Sequence, residues 1–80
     1  MNAKDIERLV FSALTDIAPE VDPEDLEPDE PIQEQIDFDS MDFRNLLLSL
    51  HESLNVDIPE KDYGRLRSVD ELVDYLGARL

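Results

Sequence analysis

The 80-residue chain contains no cysteine, and this absence excludes several kinds of site. Without a thiol there can be no disulfide framework, no zinc ribbon and no cysteine nucleophile. The chain also lacks an apolar stretch long enough for a signal peptide or a membrane span, and the segment 2–5, with Asn2, Lys4 and Asp5, is polar overall. We therefore expect a cytoplasmic protein. The length fits a single domain, residues 1–80, with one small core.

Basic residues are scarce: the chain has seven Lys and Arg and 21 Asp and Glu, which give a net charge of −14. Such a charge argues against nucleic-acid binding, which needs a basic surface, and against docking on anionic membranes. Proteins with basic surfaces are the expected partners. An acidity that serves only solubility is the alternative explanation.

A suitable catalytic base is also missing. His51 is the single histidine, and Ser40 is the most suggestive serine. If both lie on one helix, their separation of eleven residues corresponds to roughly 16 Å, whereas a general base must lie within about 3 Å of the proton it removes. The sequence therefore predicts no catalytic residues.

A dedicated metal site is not predicted either. Asp37, Asp39 and Asp42 alternate like the first ligands of a calcium-binding EF-hand loop. The sixth position, which needs glycine, would be Asp42, and the twelfth, which needs glutamate, would be Leu48. The pattern leaves only loose binding of divalent ions to the acidic segment.

Apolar residues at helical spacing predict three main helices. They run from about Ala3 to Ala18, from Ser40 to Leu54 and from Val69 to Arg79. Asn2 is a candidate cap of the first helix, and Ser68 is placed to cap the third. A short helical turn is predicted after Pro59.

Residues 19–39 form a long connection with four prolines and ten acidic residues, so this segment is not helical throughout. Apolar residues spread through it predict that it is held on a core: Val21, Leu26, Ile32, Ile36 and Phe38. The predicted fold class is all-α, a small four-helix bundle with three main helices, one short helix and a long first loop.

Asp39 and Ser40 mark the start of the second helix. Asp39 is a good N-cap, which places the Ser40 hydroxyl in the first turn, where a phosphate is favoured by free N–H groups and the helix dipole. A plain helix start is the alternative interpretation of this dipeptide.

The outward side of the same helix is predicted to be partly apolar. Met41 and Leu48 fall on it beside Arg44 and Asn45, which is typical of an interaction surface. Ordinary scattered apolar exposure is the alternative.

Residues 36–42 read Ile-Asp-Phe-Asp-Ser-Met-Asp and resemble the phosphopantetheine attachment motif of acyl carrier proteins, Leu-Gly-x-Asp-Ser-Leu-Asp in its common form. The resemblance extends over nearly the whole chain. It includes the apolar patterns of the first two helices, the stretch 56–59 before the short helix, and residues 68–76 of the last helix.

The resemblance implies a carrier that is not itself an enzyme. A phosphopantetheinyl transferase attaches 4'-phosphopantetheine from coenzyme A to Ser40, and Asp39 helps that transferase position its metal and substrate. The thiol of the arm then carries acyl groups as thioesters, and the interior between the second and last helices shelters the acyl chain. Partner enzymes that transfer or activate acyl groups dock through basic patches onto Met41, Leu48 and their neighbours Arg44 and Asn45. A monomer is expected.

Three departures from the family pattern bear on the pathway. Asp37 replaces the glycine, and Met41 replaces the leucine after the serine. Arg44, Asn45 and His51 stand where carriers of fatty acid synthesis are often apolar or acidic. These departures suggest a specialised lipid, fatty-acyl or polyketide-type pathway. An aminoacyl or peptidyl carrier, and an unmodified acidic interaction module of the same fold, remain alternatives.

Overall fold

A computed structural model describes all 80 residues and confirms the all-α fold class. Its α-helices are α1 (Ala3–Ile17), α2 (Ile32–Gln35), α3 (Ser40–Leu54) and α4 (Val69–Gly77), and two 3-10 helices span Pro23–Asp25 and Glu60–Arg65. The bounds of α3 are those predicted from the sequence. The predicted turn after Pro59 is present as the second 3-10 helix, and α4 ends two residues earlier than predicted.

Each main helix begins with a capping box, which explains why the starts were predictable. The side chains of Asn2, Asp39 and Ser68 each accept a hydrogen bond from the backbone N–H three residues later. The acidic residue at that third position accepts one from the cap's own N–H in return. These bonds use N–H groups that a helix start leaves without intrahelical partners. Local sequence chemistry therefore fixes where Ser40 stands.

The core lies between α1, α3 and α4, with α1 packed against both of the others. Each helix contributes its predicted apolar stripe, and the fully buried residues include Val10, Leu14, Leu46, Leu47, Leu50, Leu72 and Leu76. Removing apolar surface from water is the main force that stabilises a bundle of this size. No helix of this structure combines the length and the apolar character needed to cross a membrane.

The acidic segment 19–39 is held on the core, as predicted. Leu26, Ile32 and Phe38 are buried, and the other two apolar residues of the segment pack at the edge of the same cluster. Backbone bonds also tie the segment to the start of α4: the Ile32 N–H donates to the Arg67 carbonyl and the Asp70 N–H donates to the Pro28 carbonyl, both at 2.9 Å. Because the loop is held in place, the position of Asp39 at its end is fixed relative to the core.

The Gln35 side chain, at the end of α2, fastens the same segment from within. Its amide oxygen accepts from the Glu27 N–H at 2.7 Å, and its amide nitrogen donates to the carbonyls of Glu27 at 2.9 Å and Glu30 at 3.0 Å. The same nitrogen also lies 3.4 Å from the Pro31 carbonyl. One polar side chain therefore bonds four backbone groups of a loop whose carboxylates repel one another.

A buried carboxylate joins the second 3-10 helix to α4. Asp62 accepts from the Tyr75 hydroxyl at 2.6 Å and from the Arg65 guanidinium at 2.7 Å. The hydrogen bond from Tyr75 lowers the pKa of Asp62 below its ordinary value, and the hydrogen bond from Arg65 is the next largest cause of this lowering. Burial, and then the bond to Asp62, raises the pKa of Tyr75. The hydrogen bond between Asp62 and Tyr75 therefore anchors the second 3-10 helix to α4.

Candidate functional site

Ser40 is the first residue of α3, and its side chain is exposed. Asp39 takes the capping role, because its Oδ1 accepts from the Asp42 N–H at 2.8 Å. The Ser40 hydroxyl makes no hydrogen bond within the protein, so capping does not occupy it. Capping by the preceding residue leaves Ser40 Oγ available as a nucleophile or an attachment point.

Two backbone N–H groups at this helix start lack partners within the protein. The capping box and the first helical bond use the N–H groups of Asp42 and Phe43, whereas those of Ser40 and Met41 remain free. They lie at the positive end of the dipole of a 15-residue helix. A phosphate esterified to the Ser40 hydroxyl would find hydrogen-bond donors there.

Carboxylates flank the serine, two in the preceding loop and one in the first turn of α3. Asp37 and Asp39 are exposed, and Asp42 is half-buried within the capping box. Asp39 uses only one of its two oxygens as the cap, so its Oδ2 remains free for a cation brought by a partner. No backbone φ is positive at Asp37, so this turn does not require the glycine that the family motif carries.

The outward side of α3 carries the predicted apolar residues. Met41 is 68% exposed and Leu48 is 41% exposed, whereas most other large apolar side chains are covered. Arg44 and Asn45 lie exposed between them. The Arg44 guanidinium pairs with Glu60 of the second 3-10 helix, with Nη1 3.2 Å from Oε1. No sequence pattern indicated this pair, since the partners are sixteen positions apart.

His51 is far from Ser40 along α3. Eleven helical residues separate them by about 16 Å, so they form no dyad. The His51 Nδ1 instead lies 2.6 Å from the Val56 carbonyl, just beyond the left-handed Asn55 that ends α3. The contact of its ring with the Val56 carbonyl gives His51 a structural role at the C-terminal end of α3. No group of three or more potential ligands among His, Asp and Glu is arranged to hold a metal ion.

The apolar residues of α3 and α4 that face the interior, such as Leu50 and Leu72, are fully buried, and no cavity opens next to Ser40. The one groove on the protein, of about 440 Å³, lies at the other end of α3, beyond Asn55. Polar and charged side chains, including Lys61, Asp62 and Arg79, form most of its lining. About 22 Å of helix separates this groove from Ser40.

Comparisons with known proteins agree with this geometry. The family described as the phosphopantetheine attachment site matches residues 10–76, a range that includes the whole of α3. An acyl carrier protein of Lactobacillus johnsonii is 30% identical over 73 residues, which cover 88% of this chain and 91% of the relative. One of Thermosynechococcus vestitus is 30% identical over 60 residues, covering 75% and 74%. The mitochondrial acyl carrier protein of Saccharomyces cerevisiae is 30% identical over 69 residues, covering 86% of this chain and 55% of its own.

Proposed function

Because this chain belongs to the acyl carrier protein family, we propose that Ser40 is the residue that receives its 4'-phosphopantetheine. The chain is a carrier and not a catalyst: a carrier of this family holds acyl groups as thioesters on the phosphopantetheine thiol and presents them to separate enzymes. The observation that carries the assignment is the exposed, unbonded hydroxyl of Ser40 at the capped start of α3. The thiol comes from the arm, which accounts for a carrier without cysteine.

This chain contributes the Ser40 hydroxyl, two backbone N–H groups and the Asp39 carboxylate to the attachment reaction. The Ser40 Oγ forms a new bond to the phosphorus that bears the pantetheine, and the P–O bond of the coenzyme A pyrophosphate breaks. Adenosine 3',5'-bisphosphate leaves with the electrons of that bond, and the hydroxyl proton passes to a base of the transferase. The free N–H groups of Ser40 and Met41 favour the anionic product. The free oxygen of Asp39 is suited to bind the metal ion of the transferase, because carboxylate oxygens are good ligands of hard cations.

We further propose that the carrier serves a specialised lipid, fatty-acyl or polyketide-type pathway. The support is the composition of the outward side of α3, where Arg44 and Asn45 are exposed between the apolar Met41 and Leu48. A carrier that had to satisfy the basic partners of housekeeping fatty acid synthesis would gain from acids at these places, since opposite charges steer and orient protein association.

The test of the attachment site is incubation with coenzyme A and a broad-specificity phosphopantetheinyl transferase, followed by intact-mass measurement. Wild type should gain one phosphopantetheine, and Ser40→Ala should gain none. Ser53→Ala, which removes another exposed serine of α3, is the matched control and should be modified like wild type. Modification of Ser40→Ala would refute the assignment, because the arm would then be attached to another residue. A folded wild type that is not modified would also refute it and leave the unmodified interaction module as the better interpretation.

A further inference from the structure

Negative charge is unevenly distributed on the two sides of Ser40. On its loop side, residues 19–39 contain ten of the 21 acidic residues. Along α3 on its other side, residues 43–51 contain none. We call the exposed stripe of Met41, Arg44, Asn45 and Leu48 the α3 face; it is about 10 Å long and carries no carboxylate of its own. A chain with a charge of −14 thus presents a positive group at the centre of this stripe.

Glu60 is the carboxylate that pairs with that positive group. It reaches Arg44 from the second 3-10 helix at 3.2 Å, and the two side chains, Arg44 and Glu60, remain 58% and 67% exposed. Ion pairs this exposed contribute little to stability, because water solvates both partners well and screens their attraction. A carboxylate of a partner protein could therefore replace Glu60 beside Arg44 at little cost in stability.

We propose that the α3 face docks on a partner surface that is apolar opposite Met41 and Leu48 and bears a carboxylate opposite Arg44. The basic residues of that partner are displaced toward Asp37 and Asp39, on the loop side of the serine. This inference rests on the proposed attachment at Ser40 and adds the chemistry of the enzyme surface that reads it. Arg44 then determines specificity, because it repels a partner whose basic patch covers the whole face.

The chain offers a closely matched control for this inference. Arg67 pairs with Glu34 at 3.6 Å, and their side chains are 57% and 68% exposed, almost the values of the Arg44 pair. Arg44→Glu and Arg67→Glu each change the net charge by −2 and each break one exposed ion pair. They differ in position, since Arg67 lies outside the α3 face. Any effect of net charge alone must appear equally in both variants.

The probe is a purified malonyl-transferring enzyme of fatty acid synthesis, chosen for its basic docking surface. Wild type, Arg44→Glu and Arg67→Glu are first converted to their holo forms and checked by mass and by circular dichroism. The kcat/KM of malonyl transfer is then measured for each. We expect Arg44→Glu to exceed Arg67→Glu by about 3- to 20-fold, because one substitution removes a repulsion and adds an attraction. A probe variant with one docking-surface Lys or Arg replaced by Glu should reverse the order and prefer wild type to Arg44→Glu.

Three outcomes would contradict the docking proposed for the α3 face. Equal gains for Arg44→Glu and Arg67→Glu would show that only net charge matters and would overturn the inference. Wild type that already matches an acyl carrier protein of fatty acid synthesis would overturn it too, while leaving attachment at Ser40 intact. A folded wild type that the transferase does not modify would instead contradict the proposed function, and the inference with it.

Discussion

Gln35 should be one of the most sensitive polar positions of the protein, and Gln35→Glu is the substitution that shows it. The introduced glutamate has nearly the same shape and keeps an acceptor for the Glu27 N–H. It loses the donor that now reaches the carbonyls of Glu27 and Glu30 at 2.9 and 3.0 Å. It also brings a carboxylate oxygen close to those carbonyl oxygens, in a segment that already holds ten acids.

The magnitude follows from these contacts. The two short hydrogen bonds lost at this half-buried side chain cost about 1–3 kcal/mol, and repulsion from the new charge adds to that value. The third bond, to the Pro31 carbonyl at 3.4 Å, is long and contributes less. A domain of 80 residues has a total stability on the order of 4–12 kcal/mol. Gln35→Glu should therefore remove a large share of the free energy of unfolding, first by releasing the acidic segment from the core.

Urea unfolding followed by far-UV circular dichroism at pH 7 measures this loss. Gln33→Glu is the control, because it adds the same charge to the same short helix α2, where Gln33 is exposed and makes only one long hydrogen bond of 3.4 Å. The control should cost less than about 0.5 kcal/mol. Below about pH 4 the carboxylate introduced by Gln35→Glu becomes protonated and can donate again, so the deficit of that variant should shrink. Equal losses in both variants would mean that charge matters and the hydrogen bonds of Gln35 do not.

Two further substitutions test the carboxylates. Because the pKa of Asp62 is lowered in the folded state, its ionised form stabilises the protein above its ordinary pKa and this stabilisation is lost as the pH falls through the folded value. The stability gap between wild type and Asp62→Asn, from urea titrations, should be constant from pH 7 to about pH 5 and close below about pH 4; a gap independent of pH would contradict this. Asp39→Asn keeps a good N-cap, so the melting temperature should change little, but the rate of modification at Ser40 should fall if the free carboxylate oxygen binds the metal ion of the transferase. Unchanged modification would show that Asp39 acts only as a cap.

The sequence predicted those features whose causes are local. A polar residue followed three positions later by an acid marks the start of each main helix, and the apolar repeat of α3 sets its length, so the sequence alone places Ser40 at the start of a helix. The short helix α2 was not predicted, because four residues carry no periodicity. The hydrogen bonds of Gln35, and the pairing of Arg44 with Glu60, were not predicted either, because they join segments whose approach depends on the assembled core.

The position of Ser40 at a boundary between two surfaces suggests a division of labour in recognition. Under the proposed docking, the acidic loop would act at a distance, since its charges are felt over a Debye length of about 10 Å at 0.1 M salt and would steer basic partners toward the serine. The α3 face would act only at contact, because burial of Met41 and Leu48 is favourable only once water is expelled from around them. In that docking, the positive charge of Arg44 would repel basic partners that the acidic loop alone would attract. The loop would therefore set the association rate of basic proteins, and the α3 face would determine which of them form a stable complex.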